Sequence, residues 1–419
     1  MTGAPDRARR AAGRRLFLLL PAGFALLAGL NAGLMLLGLP TPVRADRLPE
    51  VHGVLLVLGF AGTLVALERA VALGSRWGYL APLLLGAGGI LLVLPVDLRA
   101  GQLALLAGCA LLLALYVRFW DRQPSPALLT QAAGAVAALG AALLWLGGLD
   151  VPRLLPWLVA FLVLTIAGER RELARVVVLP PAARHLYVLC AGAVLAGPVA
   201  ALLWPVPGTL LLGAALMGLV AWLLTHDVAR HTLRSPGLPR YTAACLLAGY
   251  SWLGLAGALW FLRGPLTEGY LYDAVVHAVF LGFVLSMIMA HAPVILPAVL
   301  RRPLPYHPVL AGPAWLLHAS LALRVLAGDL RETEWAWRAG GALNIVAVLL
   351  FALAAVVLAA TAGRRKHRPE SPAPGAAIGG APRTAEPPRP AGTDEAPHRP
   401  AGPPVTGAPA RPHHRKDPR

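Results

Sequence analysis

The chain has 419 residues, 57% of them hydrophobic and only 14% charged, against roughly 25% charged in a soluble domain. This composition, carried in long apolar runs, excludes an ordinary soluble domain and points to a polytopic protein of the lipid bilayer. The net charge of +17 does not imply nucleic-acid binding, because the arginines sit in turns and at the termini, where they set membrane topology.

Residues 1–14 (MTGAPDRARRAAGR) are basic and polar. The apolar run that follows is too long for a signal-peptide core and has no small-residue cleavage site behind it, so an uncleaved first span is expected. Segments near the ~20 residues that cross a bilayer then fall at about 15–39, 51–73, 77–96, 101–120, 127–148, 153–171, 183–203, 208–226, 240–262, 271–294, 308–327 and 338–362. The expected fold is therefore all-α, with about twelve transmembrane helices over 15–362. Residues 363–419 are rich in Pro, Ala, Gly and Arg, with almost no large apolar side chain. They cannot bury a core and read as a disordered tail. Its His413 and His414 read as solvated.

Turn charges give the orientation. One set of turns holds Arg76; Arg118 and Arg122; Arg170, Arg171, Arg175 and Arg184; Arg230, Arg234 and Arg240; and Arg301 and Arg302. The opposite turns are mixed or nearly uncharged. This alternation places the basic turns and both termini in the cytoplasm. Cys109, Cys190 and Cys245 all lie inside apolar spans without metal-type spacing and read as packing residues. Trp77, Trp157, Trp204, Trp335 and Trp337 fit interfacial belts.

Ionisable residues inside spans are costly and mark sites. His52 opens span two, and His277 lies about two turns into span ten, at similar depth in the outer half. Two imidazoles from different helices are a common way to hold a b-type haem, or to ligate copper or non-haem iron. Asp273 is one helical turn before His277 and is placed to accept its second ring N–H. Arg324 of span eleven can pair with Asp273 or with a haem propionate. Its bland reading is a plain interfacial arginine.

A second set lies in the inner half. It comprises Glu68 and Arg69 of span two, Glu169 and Arg170 at the end of span six, His291 of span ten and His318 of span eleven. His277 and His291 are about 21 Å apart along an α-helix and cannot share a metal. At about 100° per residue they return to nearly one face, which would let them line one cavity at two depths. His291 and His318 can share a second metal, or form a proton relay with Glu68 and Glu169. Internal ion pairing is the bland reading of Glu68–Arg69 and Glu169–Arg170, and a hydrogen-bonded bundle histidine that of His318. Pro293 and Pro297 should bend or end span ten.

The span-two stretch HGVLLVLGF and the span-ten stretch HAVFLGFVLSMIM resemble the NnrS family. These are bacterial inner-membrane proteins that contain haem and copper and are associated with the response to nitric oxide. His52, Gly59 and Phe60 stand at that family's first histidine and Gly-Phe, whereas Val54 and Leu55 replace its second histidine and glutamate. His277, Ala278, Gly282 and Met287 match its span-ten pattern. The resemblance implies a multi-pass inner-membrane protein that binds haem or another metal and has a nitric-oxide-related or redox-linked role. A proton-coupled transporter without cofactor, or an assembly factor for a respiratory complex, are the alternatives.

Overall fold

The computed structural model describes residues 3–173, 179–300 and 304–365, with the side chains of 3–16, 298–300 and 362–365 outside the description. Arg175, Arg301 and Arg302, and the expected tail from 366 onward with His413 and His414, lie outside the described residues.

The helices are α1 (Gly3–Leu36), α2 (Arg47–Leu73), α3 (Trp77–Val93), α4 (Leu98–Trp120), α5 (Pro126–Leu146) and α6 (Val151–Leu173). Then come α7 (Pro181–Leu203), α8 (Pro205–His226), α9 (Leu238–Arg263), α10 (Gly269–Pro297), α11 (Pro308–Asp329) and α12 (Glu334–Arg365). Eleven of them are long and apolar enough to cross a membrane; the twelfth, α3, is shorter. The protein is a multi-pass helical membrane protein. Two ends differ from expectation. Helix α1 already starts at Gly3, within the basic segment, whose Ala and Arg residues are strong helix formers. Helix α12 runs on to Arg365.

Local chemistry explains the boundaries. Ser125 caps α5 by accepting from the Leu128 N–H at 3.2 Å, with Pro126 in the first turn, where its missing N–H costs nothing. Gly74 ends α2 in the left-handed conformation, at φ 71°, which glycine adopts without strain.

Consecutive helices pack as neighbours, α3 on α4, α5 on α6 and α7 on α8. Small residues set the closeness. A Cβ on Gly168 of α6 would lie 2.7 Å from the Ala127 carbonyl of α5, so only glycine permits that approach. Helix α6 is the most enclosed, with 78% of its span buried, whereas α1 and α12 bury 28% and 22%. The bundle is therefore organised around α6, flanked by α2 and α10. Helices α1 and α12 present apolar side chains such as Phe24, Leu353 and Val356 outward, as a lipid-facing surface requires.

Three helices are interrupted by π-helical segments: Leu55–Gly62 in α2, Ala278–Leu285 in α10 and Leu323–Asp329 in α11. Such segments are rare and concentrate at functional sites. The first two contain the paired Gly59-Phe60 and Gly282-Phe283.

Candidate functional site

The π segments mark the site. His52 stands one turn before the π segment of α2, and His277 immediately before that of α10. Arg324 lies inside the π segment of α11. The fold brings these three helices together, and the two imidazoles lie within electrostatic reach of one another and of Asp273 and Arg324.

Hydrogen bonds determine the ring tautomers. His52 Nδ1 is 2.9 Å from the Gly29 carbonyl of α1, and His277 Nδ1 is 2.9 Å from the Asp273 carbonyl. A carbonyl only accepts, so each Nδ1 carries the proton, which leaves each Nε2 lone pair available in the neutral ring. The Asp273 carboxylate, 3.3 Å from His277 Nδ1, reinforces that tautomer. Asp273 in turn takes two hydrogen bonds of 2.9 Å from Arg324 Nε and Nη2, and one of 3.2 Å from the Trp337 indole N–H. Arg324 also lies 5.6 Å from the centroid of the Trp337 ring. Between the two readings of Arg324, the structure gives the Asp273 partner. Gly340 and Gly341 of α12 make this possible, since a Cβ on Gly341 would come within 2.8 Å of Arg324 Nη1.

At the other end of α10 the residues are arranged differently. His291 donates from Nδ1 to the Met287 carbonyl at 2.8 Å, and its Nε2 faces Arg170 Nη1 at 3.2 Å. Arg170 is bidentate to Asp227 at 2.8 and 2.7 Å, and the Tyr250 hydroxyl donates to Asp227 at 2.6 Å. Asp227 lies in the turn after α8. Burial alone would raise its pKa, but the two Arg170 hydrogen bonds, with Tyr250 and the Ala229 N–H, hold it below the ordinary carboxylate value. His318 accepts at Nδ1 from the Trp252 indole N–H at 3.1 Å and reaches Ser286 Oγ at 3.1 Å from Nε2. Ser286 passes its own proton to the Cys245 carbonyl at 2.8 Å.

At the expected second metal position, His291 and His318 are each hydrogen-bonded at both nitrogens, with different partners. Among the described residues, no group of three or more His, Cys, Asp or Glu is arranged to hold a metal. The glutamates and arginines of this set do form internal ion pairs, but Arg170 pairs with Asp227 and not with its neighbour Glu169. Arg69 instead holds Glu68, approaches Glu169 at 3.6 Å and donates to Gln131 at 3.2 Å. His277 and His291 do not line one cavity. His291 borders a cavity of about 330 Å³ in the lower half of the bundle, and His277 is absent from its wall. The π segment between them takes an extra residue per turn and breaks the face arithmetic of a continuous α-helix.

Residues 15–360 match a domain of unknown function, DUF8744. The chain belongs to the DUF8744 family. No curated protein matches it. The DUF8744 region takes in every residue of both clusters.

Several site residues of this DUF8744 chain carry no signal in the motifs of its spans: Asp227, Tyr250, Gln131, Trp252, Ser286 and Asp329, with Trp337, which fits an interfacial belt by position alone. Asp329 is 1% exposed and brings a second buried carboxyl group beside Asp273 and Arg324. A usable signal was the unusual density of polar residues close to the span ends, with Asp227 and Asp329 each one step from an apolar run.

Pro293 does not end α10, whose helix continues beyond it. Without an N–H, Pro293 leaves the Met289 carbonyl unpaired within the helix. The Tyr241 hydroxyl of α9 donates to that carbonyl at 3.2 Å, the kind of rescue a neighbouring helix provides in lipid.

Proposed function

We propose that this protein is a membrane haem protein in which His52 and His277 hold the iron through Nε2. The single observation that carries the reading is the pair of imidazoles on different helices, within electrostatic reach of one another, each with Nδ1 tied to a carbonyl and Nε2 without a hydrogen-bond partner. Asp273 is already bonded to Arg324 and Trp337, so this site offers two free imidazole nitrogens. Two such nitrogens would suit a haem iron, most of whose ligands come from the cofactor itself.

The protein's own residues would do the following. The Gly29 and Asp273 carbonyls fix the ring orientations. The Arg324–Asp273–Trp337 unit holds the α10 carbonyl and carboxylate that orient His277, so Asp273 and Arg324 act through His277. The apolar void of about 60 Å³ between the two π segments begins one turn past both histidines and keeps water from this side of the site. A haem held there would supply one-electron exchange and a seat for a small gas such as nitric oxide. The likeness of the two histidine stretches to the NnrS family supports the same reading and, with it, a place in a bacterial inner membrane.

The test is the optical spectrum and pyridine-haem content of protein purified from haem-replete cells. A Soret band is expected that is lost in His52→Ala and in His277→Ala, with the folded fraction unchanged by size-exclusion chromatography. A colourless wild-type protein overturns the proposal.

A further inference from the structure

The cavity of about 330 Å³ belongs to neither histidine ligand and stands independently of the haem reading. Its volume falls within the range of small-molecule sites. Side chains such as Leu64, Ile166, Ile288 and Phe351 make its wall, and its polar residues, Glu68, Glu169, Arg170 and His291, gather at one end.

Most of those polar groups are already engaged. Arg170 directs Nε and Nη2 to Asp227 and Nη1 to His291, and His291 has both nitrogens engaged. Thr165 donates to the Phe161 carbonyl. Glu68 and Glu169 differ, since the two carboxylates share the single guanidinium of Arg69, with Glu169 at 3.6 Å. A carboxylate has about four acceptor positions, and Arg69 keeps one buried donor, Nε, without a partner, so acceptors at this end of the cavity outnumber the donors that face them. In hydrocarbon that imbalance favours a ligand that donates hydrogen bonds and disfavours an anion.

The cavity also has an entrance. Val356 of α12 lines it and is 67% exposed. Gly23 of α1 lines it too and is exposed, and a Cβ there would meet nothing within 4 Å. The opening thus lies between α1 and α12, the two helices most exposed toward lipid.

We infer that this cavity binds a lipid-soluble amphiphile with a hydrogen-bond-donating head group, which enters between α1 and α12 and seats its head on Glu68 and Glu169. A hydroquinone and a protonated long-chain amine both have this chemistry.

The full chain in lipid nanodiscs, titrated calorimetrically, separates them. The probes are a decyl-substituted hydroquinone, dodecylamine, and laurate as an anionic control of similar length. Saturable binding of the hydroquinone assigns the hydroquinone head, and saturable binding of the amine assigns the amine head. In either case Glu68→Gln and Glu169→Gln should each weaken binding by about tenfold or more, the loss of one charge-assisted hydrogen bond. Gly23→Trp, which adds bulk where there is open space, should fold normally and abolish binding even if the glutamate variants fail to fold. The inference is overturned if neither donor probe saturates, if laurate binds as well as they do, or if Gly23→Trp binds like wild type.

Discussion

Two histidine pairs occupy this bundle, and their ring nitrogens do different things. His52 and His277 each use one nitrogen on a main-chain carbonyl and leave the other without a partner. His291 and His318 use both, on Met287 and Arg170 and on Trp252 and Ser286. The first arrangement orients a ligand, whereas the second closes a network. Residue type is shared by the two pairs, which sit at opposite ends of α10. What separates them is whether a second polar side chain from a neighbouring helix arrives at the ring. Arg170 arrives at His291 and Ser286 at His318, while the partners of Arg324 and Trp337 stop at Asp273, one link short of the His277 ring.

The largest expected effect lies in the closed network. Asp227→Ala leaves the Arg170 guanidinium buried without its carboxylate, and removing one member of a buried pair costs about 3–5 kcal/mol. Denaturant or thermal unfolding in detergent micelles should register that loss, and a loss below about 1 kcal/mol would show that Arg170 finds another partner. The same pair sets the acid limit. The folded pKa of Asp227 lies below its ordinary value of 3.8, so its contribution is complete above about pH 4 and is lost as the pH falls through the folded value. In Asp227→Asn that part of the acid sensitivity should disappear.

An intermediate effect distinguishes the pairs most directly. His318→Ala strands the Trp252 and Ser286 groups and should cost about 1–3 kcal/mol, with any Soret band retained. The His52 and His277 variants should behave in the opposite way, losing the band at little cost in stability. If His318→Ala bleached the protein instead, the contrast between the pairs would fall.

The smallest expected effect concerns how α10 carries both pairs past its prolines. Tyr241→Phe removes the hydroxyl that serves the Met289 carbonyl and should cost about 1 kcal/mol. In a Pro293→Ala background the restored N–H serves that carbonyl, so the same change should cost almost nothing. A double-mutant cycle measures the difference, and equal costs in both backgrounds would dissociate Tyr241 from Pro293.

Much of the architecture is legible in the sequence. Twelve apolar runs were expected; among the described residues eleven form helices long enough to cross a membrane and one forms the shorter α3, most boundaries agreeing within a few residues, because span length answers to bilayer thickness. The one-turn spacing of Asp273 and His277 was also legible, because it is a local property, whereas the partner of Arg324, 51 residues from Asp273, was left open among several. The phase of α10 was not legible, because a π segment is a change of hydrogen-bond register that Ala278–Leu285 does not advertise in its composition. Nor was the partner of Arg170. Asp227 is 57 residues away in sequence, behind two complete helices, while Glu169 stands next to it and was the obvious candidate.

By itself, then, the sequence determined that this is a multi-pass helical membrane protein and which ionisable side chains lie within its spans. Hydropathy acts segment by segment, and a polar side chain in hydrocarbon is conspicuous wherever it sits. Only the tertiary structure decided which of those side chains are satisfied. A hydrogen bond depends on a few tenths of an ångström between groups on different helices, and that distance is set by how the helices pack and by where their π segments turn them.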